Sequence, residues 1–273
     1  RMDRIFRIVG FGRTSKSYNP ENPIHPDSKN SIEMKLNLLA LALIANFLVS
    51  CVGNSQNWGP GISGQGPKVT KTLDLSAFES VGLSISADVY LRQGSTQSVK
   101  IEAQQNIIDN LVKNVENGKW KIKFDKNVRE QEGVKIWITV PTLKDVAVSG
   151  SGDIIGESPF KNLGDIHLAI SGSGSIQLDA DSKSLGAAVS GSGDMKLAGA
   201  TGGFEIAISG SGNIESFDLS SKTCEVSIAG SGDASVNASE SLQVSIAGSG
   251  DVFYKGSPKV QSKISGSGDV VAK

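Results

Sequence analysis

Val226-Ser227-Ile228-Ala229-Gly230-Ser231-Gly232-Asp233 holds the grammar of most of the chain. Val226 and Ile228 alternate with Ser227 and Ala229, the period of a strand with one buried face. Gly-Ser-Gly breaks the alternation, an acidic residue follows, and alternation resumes at Ala234 and Val236. The triplet recurs seven times, starting at Gly150, Gly172, Gly191, Gly210, Gly230, Gly248 and Gly266, at spacings of 22, 19, 19, 20, 18 and 18 residues. Fourteen of the 32 glycines sit in these triplets, so the glycine excess of the 273-residue chain is positional. A period near 20 residues is the mark of a solenoid.

The pattern around each triplet is regular. Before it stand Val146/Val148, Leu168/Ile170, Ala187/Val189, Ile206/Ile208 and Val244/Ile246; after it come Ile176/Leu178, Met195/Leu197 and Val252/Tyr254. Between triplets lies a second, variable turn: Asp179–Ser184, Ala198–Gly203, Asp218–Thr223, Asn237–Ser241 and Lys255–Pro258. Each repeat reads as strand, corner, strand, loop. A hairpin per repeat would need about fourteen strands in one meander, more than open sheets usually hold without curling. Stacked coils explain why every repeat turns at the same place. The pattern predicts an all-β parallel β-helix over 146–273.

The residue after the triplet is Asp153, Ser175, Asp194, Asn213, Asp233, Asp251 or Asp269. Stacked carboxylates invite a calcium reading. In the repeat-in-toxin calcium pattern, however, the aspartate stands two positions beyond the last glycine, whereas here it follows directly. Neighbouring carboxylates about 4.8 Å apart repel by only about 0.9 kcal/mol in water. The favoured reading is that Asp, Asn and Ser oxygens accept backbone N–H bonds, which all three can do. No metal or cofactor is expected.

The N-terminal part differs in kind. Residues 1–33 read as an over-extended gene product or a disordered arm. Met34-Lys35 then opens an apolar run to Val49, ending Leu48-Val49-Ser50-Cys51. A short basic start, an apolar stretch of about 14 residues and a small residue before the break form a secretory signal over 34–50. The ending resembles a bacterial lipobox, so Cys51 is the expected site of lipid attachment. Residues 51–67 read as a flexible linker. Beyond residue 50 the chain carries 20 basic and 24 acidic residues, a balance that does not seek phosphate backbones.

Residues 68–145 lack the triplet but keep its alternation. Val81 to Leu91 resembles a degraded repeat, with Ser86-Ala87-Asp88-Val89 where later copies read Gly-Ser-Gly-Asp-Val. Asn106–Leu111 suits a helical turn, and Asn117-Gly118 is a strong hairpin signal. An atypical, better-filled end is what a solenoid needs as a cap.

Several segments in order carry a family resemblance across about 70–272. They are Phe78-Glu79-Ser80-Val81, Ala87-Asp88-Val89-Tyr90-Leu91, Asn106-Ile107-Ile108, Asn117-Gly118-Lys119-Trp120-Lys121-Ile122 and Ile138-Thr139-Val140-Pro141-Thr142-Leu143, followed by the serial Ser-Gly-Ser-Gly-Asp units. Together they resemble the auto-transporter adhesin head, GIN-domain family of Bacteroidetes-type bacteria. The resemblance implies a right-handed β-helix, a secreted or lipid-anchored protein, an adhesive role and no catalytic residues.

Chemical candidates are few, with two histidines, two cysteines and 5% aromatic residues in the chain. Gly59-Pro60-Gly61-Ile62-Ser63-Gly64 matches a dinucleotide fingerprint but lacks a preceding strand. His167 falls in the outward phase of its strand, and Cys224 in the inward phase with Val226 and Ile228. Glu205, Glu215, Asp218 and Glu225 lie in separate repeats with no evident acid–base pair. Trp58, Trp120 and Trp137 all precede the repeats, so the front half is the better place for a ligand, although Trp120 and Trp137 read as core. The leading expectation is a non-enzymatic protein, lipid-anchored in the outer membrane or cell envelope of a Gram-negative bacterium, with a β-helical surface for adhesion. Alternatives are a structural or regulatory periplasmic module and, third, a polysaccharide-active enzyme. Expected partners are the membrane and a protein or glycan ligand; a homo-oligomer is compatible, and nucleic acid is not expected.

Overall fold

A computed structural model describes residues 61–273, which are 69% strand and 2% helix. The sequence repeats become a parallel β-solenoid of about seven turns. Strands β12 (Phe160–Gly172), β13 (Ser175–Gly191), β14 (Asp194–Gly210), β15 (Ile214–Gly230) and β16 (Ala234–Gly248) pair parallel, each with the next. Register keeps equivalent residues together: Gly172, Gly191, Gly210, Gly230 and Gly248 form one column. Ile170, Val189, Ile208, Ile228 and Ile246 form another and are fully buried. Each such aliphatic side chain contributes roughly 1.5–3 kcal/mol by leaving water.

The glycine corner has a steric cause. The first glycine of each triplet has φ between 122° and 143°, a region L side chains rarely adopt. From Gly172 onward it also packs against its counterpart one coil back: a Cβ on Gly210 would lie 2.3 Å from the Gly191 carbonyl oxygen. The corner carries its own hydrogen bonds. Ser211 N–H donates to Gly191 O at 2.8 Å, Ser231 to Gly210 O at 2.8 Å and Ser249 to Gly230 O at 2.9 Å.

The second turn differs from expectation. The segments 179–184 and 198–203 are not loops; they stay in the ladder, which is why β13, β14 and β15 each run for 17 residues. The bend is absorbed by buried hydroxyls that satisfy backbone carbonyls. Ser221 Oγ donates to Asn237 O at 2.8 Å, Thr201 Oγ1 to Gly203 O at 3.0 Å, and Ser216 Oγ to Ser235 O. The first and last coils do leave the ladder, between β11 (Asp153–Gly156) and β12 and between β17 (Val252–Lys255) and β18 (Lys259–Gly266), before β19 (Val270–Ala272).

The front half obeys the repeat but not its order. β3 (Ser80–Leu83) and β4 (Ala87–Gln93) pair in parallel with β10 (Asp145–Gly150) and β11 (Asp153–Gly156), setting Val81 against Val146 and Asp88 against Asp153. On their other side lie β7 (Lys119–Ile122) and β9 (Val134–Val140), also parallel. The chain therefore builds one coil, steps outward to make the terminal one, and returns across the first to begin the triplet coils.

The stack ends in a mixed cap. β5 (Ser98–Gln104) adds antiparallel to β9, and β2 (Lys68–Leu73) antiparallel to β5. Helix α1 (Gln105–Asp109) buries Ile107 and Ile108. β6 (Val115–Glu116) joins β7 through Asn117 and Gly118, whose φ values of 51° and 71° make the expected hairpin turn. Trp120 is fully buried, its Nε1 donating to Val112 O at 3.1 Å. The end of the segment expected to be a linker is tied down instead: β1 (Ile62–Ser63) pairs with β8 (Val128–Glu130), and Asn106 Nδ2 donates to Ser63 O at 2.8 Å. Among the described residues no helix is long and apolar enough to cross a membrane.

Candidate functional site

Alternation decides which side chains leave the sheet. In β9, Val134, Ile136, Ile138 and Val140 are buried, so Lys135, Trp137 and Thr139 face outward. In β4, Val89 and Leu91 are buried, so Asp88, Tyr90 and Arg92 share that outer face. The register sets Tyr90 beside Trp137 and Trp137 beside Lys100 of β5. The two rings stack with centroids 5.5 Å apart and planes 16° from parallel.

Charged residues border this pair. Arg92 Nη2 meets Glu157 Oε2 at 2.9 Å on the β11 side. Lys68 Nζ lies 3.7 Å from Glu102 Oε1 on the β2 side. Between them is an open cleft of about 470 Å³, lined also by Ser98, Thr139 and Thr70. Aromatic surface, hydroxyls and both signs of charge converge here on paired strands.

The cleft was only partly legible. The front half is where the ligand site was expected, and Trp120 is core as expected. Trp137 is not: it is half-buried on the outer face. The signal was present, since Lys135 and Thr139 share its phase. What no spacing shows is that Tyr90, Lys100 and Trp137 come from three strands set side by side.

The other candidates fall out as follows. His167 is on the surface, its Nδ1 3.5 Å from Asp145 Oδ1. Cys224 is buried in the core, and desolvation, then the Glu225 charge, pushes its thiol up to about 12. Glu205 and Glu225, 20 positions apart in sequence, stand on adjacent strands in register. That corrects the reading of four scattered acids: burial first and the Glu205 charge second hold the Glu225 carboxyl above the usual carboxylate range. Glu215 and Asp218 remain apart and exposed. Gly61 to Gly64 leads into the β1 pairing rather than a helix, so no phosphate cradle forms. Cys51 and the signal segment lie outside the described residues.

The residues after the triplets do accept backbone N–H groups, from the next coil. Asp194 Oδ1 takes Asn213 N–H at 2.9 Å, Asn213 Oδ1 takes Asp233 N–H at 3.0 Å, and Asp251 Oδ1 takes Asp269 N–H at 2.8 Å. Ser175 instead donates its hydroxyl to Asp153 Oδ1 at 2.6 Å.

The described residues form a capped, nearly all-β parallel solenoid. The chain belongs to the family described as "putative auto-transporter adhesin, head GIN domain", whose sequence profile matches residues 77–258. It is similar to a "putative adhesin" of Bacteroides fragilis NCTC 9343, with 27% identity, a TM-score of 0.72, and 78% of this chain and 100% of that chain covered. It is also similar to a "putative lipid binding protein" of Parabacteroides distasonis ATCC 8503, with 26% identity, a TM-score of 0.65 and the same coverage. A "putative adhesin" of Parabacteroides merdae ATCC 43184 shares the fold at 22% identity and a TM-score of 0.64, covering 79% of this chain and 100% of that chain. No curated protein matches the chain. The family and the Bacteroides fragilis relative are described as adhesins rather than enzymes, and the shared description supports a surface adhesion-like role.

Proposed function

We propose that the chain is a non-enzymatic, lipid-anchored envelope adhesin that binds a glycan in the cap cleft. The observation that carries this reading is the Tyr90–Trp137 stack on the outer face of the cap. Ring surfaces supply rigid contact area for saccharides at low entropic cost, and both rings stand on paired strands. The Cys51 lipobox supports anchoring.

The binding test is a glycan array probed with residues 52–273 and with Trp137→Ala. Binding by the parent chain that falls at least tenfold in the variant is expected; signals unchanged by the substitution overturn the cleft assignment. Protease treatment of intact cells tests exposure, since full protection favours an internal periplasmic module. Retention of Cys51→Ala in the membrane fraction refutes the lipid anchor.

A further inference from the structure

We infer that the cap cleft is selective for an acidic saccharide, a pyranose bearing a carboxylate, with Lys100 as the group that reads the charge. This inference rests on the glycan-binding reading and narrows its ligand class.

The argument is one of unbalanced charge. Four ionisable side chains other than Tyr90 line the cleft: Arg92, Lys100, Glu102 and Glu157. Glu157 is taken by Arg92 at 2.9 Å, and Glu102 faces Lys68 at 3.7 Å. Lys135 of β9 also sits in register with Glu102, adding a second cation beside that carboxylate. Lys100 is exposed and has no ion-pair partner among the described residues. The cleft therefore presents one uncompensated ammonium, placed by register directly beside Trp137.

The position of that charge gives the ligand its shape. Trp137 lies between Tyr90 and Lys100 in a single row across three strands. A sugar ring resting against the aromatic pair has the Lys100 ammonium at its edge, where a pyranose carries its exocyclic carbon. In a hexuronate that carbon is the carboxylate; in a neutral hexose it is a hydroxymethyl group. Ser98 and Thr139 supply hydroxyls for the remaining ring oxygens. Glu157, held by Arg92 at the opposite end of the row, disfavours an anion there, which leaves the Lys100 side for the acidic group.

The test compares one backbone with and without its charge. Residues 52–273 are titrated with polygalacturonate, with its fully methyl-esterified form, and with dextran sulfate as a charge-only control. The parent chain is expected to bind polygalacturonate about fivefold more tightly than the ester, the size of one exposed ion pair. Lys100→Gln should equalise the two polymers, and Lys100→Arg should restore the preference. Because Lys100 is exposed, these variants keep the parent fold, which circular dichroism and an unchanged melting temperature check. Equal binding of both polymers by the parent chain overturns the acidic selectivity and leaves the glycan reading standing. So does a preference that survives Lys100→Gln. Dextran sulfate binding as tightly as polygalacturonate, and unaffected by Trp137→Ala, overturns it in favour of plain charge attraction. No binding to any array glycan or to these polymers removes the glycan reading itself.

Discussion

The Asp233 carboxylate accepts the backbone N–H of Asp251, one coil further along the solenoid, at 2.7 Å. Each acidic corner residue in this part of the chain therefore secures its successor. Asp233→Ala removes the acceptor and leaves a part-buried amide without one, which should cost about 1–2 kcal/mol by chemical denaturation. Asp233→Asn should cost less than half of that, because Asn213 already performs the same task in the native stack. With one oxygen each of Asp153, Asp194, Asp233 and Asp251 committed to an amide, millimolar calcium should leave the melting temperature unchanged; a rise of several degrees would show that the ladder binds the ion.

Glycine substitutions should separate backbone strain from collision. At Gly210 both apply, with φ 127° and a Cβ 2.3 Å from the Gly191 oxygen, so Gly210→Ala should cost about 3 kcal/mol or more. At Gly150, φ is 122° but a Cβ meets nothing within 4 Å, so about 1–2 kcal/mol is expected. Gly164→Ala meets neither obstacle and should fall within about 0.5 kcal/mol of the parent. Equal losses at Gly210 and Gly150 would contradict the close stacking of the corners.

Cys224 should resist thiol reagents in the folded chain. Its side chain is buried, and its thiol is pushed up to about 12, so almost no thiolate exists at neutral pH. Labelling by a disulfide reagent should be at least a hundredfold slower than in denaturant. Rapid labelling of the native chain would show that the coil containing Cys224 opens on its own.

Glu225 gives a pH signature. Burial and the neighbouring Glu205 raise its folded pKa, so the folded chain holds this proton more tightly than the unfolded chain. Its favourable contribution is fully present below the unfolded pKa near about 4.3 and is lost as pH rises through the folded value. Glu225→Gln should therefore stabilise the protein at pH 7 by a few tenths of a kcal/mol, since the half-exposed site is screened by solvent. The gain should vanish near pH 4; a gain that persists there would point to packing rather than charge.

These expectations show how unevenly the sequence speaks. The coil was legible because Gly-Ser-Gly returns every 18 to 22 residues, and a close-stacked corner admits little else. Cys224 and His167 were placed correctly by phase alone. The second turn was misread because its side chains vary: Ser221 and Thr201 look like loop residues but serve as buried donors that let the strand bend without leaving the ladder. The Glu205–Glu225 pair went unseen because acids 20 residues apart look scattered until the coil length is applied to them.

By itself, the sequence determined the repeat, its corners, its buried face and the presence of an atypical end. All of these depend on neighbours within one turn of the chain. Tertiary structure alone decided that Asp88 lies beside Asp153, that residues 119–140 form the terminal coil, and that Tyr90, Trp137 and Lys100 meet on one surface. The reason is physical: hydrophobic phase says only that a side chain points in or out. Which strands become neighbours depends on backbone hydrogen bonds, and these pair segments without regard to their distance along the chain.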